Sequence, residues 1–231
     1  MKKKNTKTRC DIIRVASEYF VEKGYSVTSP NAIAKELNIS TGNVTYYFPS
    51  KEQVLLVVTE MILDYHCKIF VNETHEGKDN LKAACLEFIT VAAACEDNPV
   101  TKDLFTSICQ SEVCREFVRN SRIKRRRKIL KEYCADWSDE KFTLTELMVM
   151  GIHYSMLTTD DSIVPLETRI PVALHVILGM YDVDEATRKN IIDSVLQIDY
   201  RSLGKKVAEG FVNYVKVTNE KTLEQFIDNQ K

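Results

Sequence analysis

Thr41, Gly42 and Asn43 follow a serine able to cap a helix, and Thr45, Tyr46, Tyr47 and Lys51 come close behind them. These side chains together suit a nucleic-acid duplex. An Asn amide can donate to and accept from an adenine edge, and a glycine removes the side chain where backbone must approach closely. Threonine and tyrosine hydroxyls and a lysine ammonium meet phosphate oxygens. Thr28 and Ser29 stand before Pro30, where the amides at a helix start can also face a phosphate. Each residue has a plainer reading as well. Gly-Asn is an ordinary turn dipeptide, Ser29 needs no DNA to act as a cap, and Tyr47 competes evenly for a place in the core. Val44 and Phe48 are packing residues.

The elements that must hold these groups follow from apolar spacing. Seven Gly and five Pro punctuate 231 residues, and apolar residues recur at three and four rather than alternating, which predicts an all-α protein. A first helix from about Thr8 to Lys23 buries Ile12, Ile13, Ala16, Tyr19 and Phe20, with Gly24 at a left-handed C-terminal cap. Ser29-Pro30 opens a short helix through Leu37, and Ser40 caps another from Thr41 to about Tyr47, which Pro49 stops. Ser50-Lys51-Glu52-Gln53 has capping-box spacing and starts a long helix that ends near Gly77. Short helices joined by a tight turn and followed by a long one form a helix-turn-helix pattern, in which the second helix of the pair enters the major groove. Residues 1–53 hold nine Lys/Arg against five Asp/Glu, or +4, in a chain whose net charge is −1. A basic head on an acidic body suits a polyanionic partner.

Thr8-Arg9, Ile12-Ile13, Ala16, Phe20, Glu22-Lys23-Gly24-Tyr25, Thr28, Ile33-Ala34, Ile39-Ser40-Thr41-Gly42-Asn43 and Tyr46-Tyr47-Phe48-Pro49-Ser50-Lys51-Glu52 resemble the N-terminal domain of the TetR family of transcriptional regulators. The resemblance covers about residues 8–56. It departs at Thr45 and Tyr47, where many members carry Tyr and His. It implies a DNA-binding domain at 1–50, a helical effector-binding and dimerisation domain at 51–231, and a regulator, most often a repressor, released from operator DNA by a small molecule. A homodimer on a palindromic double-stranded operator is implied as well.

Beyond residue 60 the periodicity predicts a helical stripe of Leu81, Cys85, Phe88, Ala92 and Cys95 broken at Asp97-Asn98-Pro99, and helices over 100–109, 111–134, 143–157, 166–180, 185–198 and 202–217, with Thr143 and Glu146 as a second capping box and Asp184 as an N-cap. Tyr65, Phe88, Phe105, Met150, His153 and Tyr154 lie on or beside apolar stripes, so a cavity among these helices would accept a small, largely apolar or aromatic effector. Residues 122–131 carry seven Lys/Arg, for which a solvated face is the ordinary reading; Arg127 alone falls between Ile123 and Leu130 and is a candidate partner for an anionic effector group. For dimerisation the helices lie among 143–217; those at 166–180 and 185–198 are favoured and the flanking ones stay open, with surplus apolar stripes at Ile191, Ile192, Val195, Leu196 and Ile198 and at Leu203, Val207, Phe211 and Tyr214.

Cys10, Cys67, Cys85, Cys95, Cys109, Cys114 and Cys134 form no CxxC pair and mostly sit in apolar patterns, which fits reduced, buried thiols. His66, His153 and His175 lack ligand spacing, so no metal and no cofactor is expected. Neither a GxSxG, a Walker loop, an HExxH nor a dinucleotide fingerprint occurs, and nothing points to an enzyme. No apolar run approaches the ~18 residues of a membrane span, and the Lys-rich N-terminus is no signal peptide, so a cytoplasmic protein without a membrane partner is expected. Two rival readings stay open: a thiol- or metal-responsive regulator acting through Cys95, Cys109 or Cys114, and a helical adaptor or enzyme that keeps the helix-turn-helix as scaffold.

Overall fold

Side-chain caps punctuate the chain. Ser29 Oγ accepts from Ala32 N–H, Ser40 Oγ from Asn43 N–H, Ser50 Oγ from Gln53 N–H and Asp184 Oδ1 from Thr187 N–H, so each predicted cap satisfies an amide that the helix itself leaves unpaired. The computed structural model describes residues 2–74, 80–159 and 162–230, and these residues form helices and turns with no strand. The helices are α1 (Lys2–Glu22), α2 (Pro30–Glu36), α3 (Thr41–Tyr47), α4 (Lys51–Thr74), α5 (Leu81–Asp97), α6 (Pro99–Gln110), α7 (Glu112–Ile129), α8 (Asp139–Thr158), α9 (Leu166–Met180), α10 (Glu185–Leu196), α11 (Tyr200–Val217) and α12 (Glu220–Asp228). The expected helix end near Gly77 lies outside the described residues. Among the described residues, no helix is long and apolar enough to cross a membrane.

Several boundaries differ from the sequence reading. Ser138 caps α8 by accepting from Lys141 N–H, so Thr143 and Glu146 are interior positions rather than a capping box. A third polar residue at that spacing, Ser138 with Lys141, lacks the Glu that the motif demands and so escaped notice. Helix α7 stops at Ile129, because the following turns bury Leu130 and Cys134 beneath Tyr181, whose carbonyl accepts from Cys134 Sγ at 3.6 Å. Helix α12 was not foreseen. Its nine residues bury Leu223 and Ile227 and pack Phe226 on the core, too short a stripe to stand out.

Helix α5 runs through the middle of the body, buried from Leu81 to Cys95. Gly204 lets α11 approach it closely: a Cβ there would lie 3.1 Å from Thr90 O and 3.2 Å from Ala94 Cβ. The end of the chain returns to its beginning. Arg9 pairs with Glu224 at 3.2 Å and Asp228 at 3.0 Å, Arg14 Nη2 donates to Thr218 O at 3.1 Å, and Lys216 pairs with Glu18 at 3.0 Å. Helices α11 and α12 thereby clasp α1, and Asn229 Nδ2 donates to Glu60 Oε1 of α4 at 2.8 Å.

Candidate nucleic-acid interface and effector cavity

Gly24 turns the chain out of α1 at φ +103°, where only glycine is at ease. Ile33 and Ala34 of α2 and Val44 of α3 are buried where α2 packs on α1 and α3 on α2, which leaves Ser40, Thr41, Gly42, Asn43, Thr45 and Tyr46 exposed. Tyr46 is 75% exposed and meets the edge of the half-buried Tyr47 ring. A Cβ on Gly42 would find only Ser40 Oγ at 3.7 Å, an ordinary contact, so nothing inside the fold requires a glycine there. Asn43 donates its backbone N–H to the Ser40 cap and keeps its amide side chain outside.

Other expected DNA contacts are engaged by the protein. Thr28 is buried and its hydroxyl donates to Gly24 O at 2.7 Å, which removes it from a phosphate-facing role. Thr45 Oγ1 donates back to the carbonyls of Thr41 and Gly42. Lys51 Nζ donates to Tyr25 O at 2.9 Å and Thr28 O at 3.1 Å and lies 4.0 Å over the Tyr25 ring, so two of its N–H groups hold the loop between α1 and α2. Burial lowers the pKa of this ammonium. Ser29 stays exposed as the α2 cap. The surface also includes residues that sequence reasoning missed: Val27, 74% exposed beside the start of α2, and Asn31, whose Oδ1 accepts from Thr41 Oγ1 at 3.0 Å.

In the body, α4, α5, α6, α7 and α8 line a cavity of about 190 Å³. Its walls include Phe88, Phe105, Met150 and His153, four of the residues expected there. The other three lie elsewhere. Tyr65 turns to α11, with its ring centroid 5.1 Å from Tyr214 and 5.8 Å from Phe211. Tyr154 stands exposed on the outer side of α8. Arg127 pairs with Asp139 at 2.5 Å and lies 4.4 Å over the Phe142 ring, outside the cavity. The arginines that do line the wall are Arg122, Arg125 and Arg126, in one stripe with Val118 and Ile129. That stripe sits one residue round the helix from the apolar one read in the sequence. The reason is electrostatic: facing helices bring Glu87 and Glu146 inward, and the guanidinium groups follow them.

Glu87 Oε2 accepts from Arg125 Nη1 at 2.9 Å, and its Oε1 lies 3.4 Å from His66 Nδ1. Burial alone would raise the Glu87 pKa, but the hydrogen bond from His66 and the charge of Arg125 bring it down to about 2. Glu146 is fully buried; it accepts from Tyr181 Oη at 2.5 Å and stands 3.8 Å from Arg126 Nε and 4.0 Å from Arg122 Nε. Arg122 Nη1 and Nη2 each lie 2.9 Å from a ring nitrogen of His153. Burial, then the neighbouring Arg122 and Arg126 charges, push His153 well below the usual imidazole range, so it is neutral. His66 was weighed only as a metal ligand, and Arg122, Arg125 and Arg126 only as part of a solvated face, since a periodicity scan counts charged residues as solvent-facing.

The cysteines offered as sensors are poor thiolates. Burial pushes the thiol pKa of Cys95, Cys109 and Cys114 upward, away from the reactive range. Among the described residues no three His, Cys, Asp or Glu gather as a metal site. On the outer side of α8, Leu144, Leu147, Met148 and Tyr154 form an exposed apolar row around Gly151, and Val172 and Val176 of α9 continue it. The stripes of α10 and α11 do not: Ile192, Val195, Leu203, Val207 and Phe211 are buried against the chain's own core, and Ile191, Leu196, Ile198 and Tyr214 pack on it. Of the helix pair favoured for dimerisation, only α9 keeps a free apolar face.

Residues 12–58 match the family described as bacterial regulatory proteins, tetR family. Over 59 residues the chain is 48% identical to the uncharacterized HTH-type transcriptional regulator YuxN of Bacillus subtilis (strain 168), a match covering 26% of this chain and 19% of YuxN. Over 56 residues it is 38% identical to the HTH-type transcriptional regulator HbdR of Aromatoleum sp. (strain CIB), covering 24% of each. The match thus spans about a fifth to a quarter of these relatives. The crystal structure of RolR in complex with the ligand resorcinol superposes with a TM-score of 0.62 at 18% identity, over 83% of this chain and 96% of that one.

Proposed function

From the premise that this chain belongs to the TetR family of transcriptional regulators, we propose that it is a dimeric repressor released from a palindromic operator by a small molecule. Residues 1–50 bind DNA, and residues 51–231 bind the effector and dimerise. Helix α3 enters the major groove with Asn43 at a base edge and Gly42 at the closest backbone approach, while Ser29, Thr41, Tyr46 and Tyr47 meet phosphates. The third N–H of Lys51 is directed to the same backbone.

The observation that carries the effector reading is that the cavity and the DNA head share two helices. Helix α4 lines the cavity with Thr59, Ile62, Leu63 and His66, and its first residue, Lys51, holds the loop before α2. Helix α6 lines it with Phe105, Ile108 and Cys109, and its Asp103 accepts from Ser26 N–H at 2.8 Å and from Ser26 Oγ in that same loop. A ligand that displaces α4 or α6 displaces the head, which changes the separation of the two α3 helices in a dimer and so the populations that fit DNA. The α8 and α9 row supports the two-fold assembly: Met148 is 59% and Val172 62% exposed, and a Cβ on Gly151 would meet nothing within 4 Å. A mid-helix glycine costs roughly 0.5–1 kcal/mol relative to alanine. Close approach of a second α8 across a two-fold axis explains its presence.

The test starts from operators selected by the full-length protein out of random duplexes. Palindromic sites, a dimeric mass on and off DNA, and release by single-ring aromatics that raise Tm support the reading. Asymmetric sites bound by a monomer, or stabilising ligands that leave operator affinity unchanged, refute it.

A further inference from the structure

The cavity wall holds more positive than negative charge. Arg122, Arg125 and Arg126 face it, and the carboxylates within reach are Glu87 and Glu146. Glu87 serves Arg125 and also His66; Glu146 is divided between Arg122 and Arg126 and accepts the Tyr181 hydroxyl besides. Two carboxylates thus serve three guanidinium groups. Neither Arg122 at 4.0 Å nor Arg126 at 3.8 Å is within hydrogen-bond distance of Glu146; what sets Arg122 apart is that its terminal nitrogens both face His153 at 2.9 Å. A neutral imidazole has one lone pair and one N–H. Whichever tautomer is present, one of those two contacts sets a donor against a donor. An acceptor that took both the surplus Arg122 N–H and the His153 N–H would relieve this. The lowered pKa of Arg122, at about 10, reflects the same shortage of negative charge: burial lowers it first and the Arg126 charge next.

We propose that the cavity binds a small aromatic carboxylate, with the carboxylate on Arg122 and His153 and the ring against Phe88, Phe105 and Met150. This deepens the effector reading above and rests on it for the regulatory consequence only. Size agrees. An engineered cavity of roughly 150 Å³ takes benzene, and about 190 Å³ leaves room for one ring with a short substituent. Most of the remaining wall, including Ile62, Ile108 and Val118, is apolar. A carboxylate brings the third guanidinium its missing counter-charge, where a neutral phenol or amide brings only an acceptor.

Benzoate and benzamide have the same shape and differ in charge, so calorimetric titration of the full-length protein with each isolates the claim. Benzoate is expected to bind about tenfold or more tightly than benzamide, with the preference lost in Arg122→Gln and both ligands excluded by the cavity-filling Met150→Trp. Equal or tighter binding of benzamide to the wild type overturns the proposal without recourse to any variant. A benzoate preference that survives in a folded Arg122→Gln overturns the assignment to Arg122. Operator release, followed by fluorescence anisotropy, separates the two levels. Benzoate that binds but leaves the operator occupied refutes the effector reading and leaves the anion site standing. Release by benzamide or resorcinol with no binding of benzoate does the reverse.

Discussion

Replacing Glu146 by glutamine tests the electrostatics of the cavity wall directly. The substitution keeps the shape and an oxygen for the Tyr181 hydroxyl but removes the one negative charge that Arg122 and Arg126 share. Deleting one member of a buried pair typically costs ~3–5 kcal/mol, because the partner's charge stays behind. Glu146 has no exposed surface, whereas the Arg122 side chain keeps 18% and Arg126 9%. Water at those arginines screens part of the loss, so the expected destabilisation is the lower part of that range, about 3 kcal/mol. In a chain of this length that lowers Tm by roughly 6–12 °C. Urea unfolding at fixed protein concentration should show a lower midpoint with an unchanged slope. Adding Arg126→Met to Glu146→Gln should recover part of the loss, since one of the two guanidinium groups left without counter-charge is then gone while the Tyr181 hydroxyl keeps its acceptor. A Glu146→Gln protein within ~0.5 kcal/mol of wild type, the range of an ordinary surface change, would refute the account of a shared, buried carboxylate.

Gly42→Ala should leave Tm unchanged or slightly raised, because the fold has room for the methyl; operator affinity by anisotropy should fall at least ~10-fold if DNA backbone approaches there, and unaltered affinity removes that role. Leu147→Glu places like charges against each other across a two-fold axis, so light scattering should report monomers at concentrations where the wild type is dimeric; a persistent dimer places the interface off α8. Asp103→Ala removes the two hydrogen bonds to Ser26 and should reduce ligand-operator coupling about fivefold, or ~1 kcal/mol, in paired titrations with and without ligand, while cavity binding stays intact. The folded pKa of Glu87 is depressed, so its contribution to stability is full above its unfolded value near 4.5 and is lost as pH falls toward about 2; acid unfolding of Glu87→Gln should be shallower across that window than that of wild type.

The DNA head was legible because its signals are local. Ser29, Ser40 and Ser50 act as caps within three residues of the amides they satisfy, and Gly24 and Pro49 mark where helices stop. Phe88, Phe105, Met150 and His153 were recognisable as cavity candidates from type and stripe. What escaped depends on contacts between distant helices. Whether Arg122 or Arg127 faces inward is decided by Glu87 and Glu146 on other elements. Thr28 and Lys51 looked like phosphate donors because the carbonyls that accept from them become neighbours only when the loop between α1 and α2 closes. The apolar stripes of α10 and α11 read as surplus for the same reason, since α5 covers them and its position cannot be inferred from their spacing.

The clasp of α12 on α1 gives the DNA head an order of assembly. Arg9 and Glu224 are separated by 215 positions, so this closure is among the longest loops the chain can make and has a correspondingly large entropy to overcome. A ribosome must release residues 220–228 before α1 gains these partners, and until then Cys10, whose thiol donates to Glu220 O, lacks part of its cover. Early chains would therefore present a helix-turn-helix that is locally formed but unanchored.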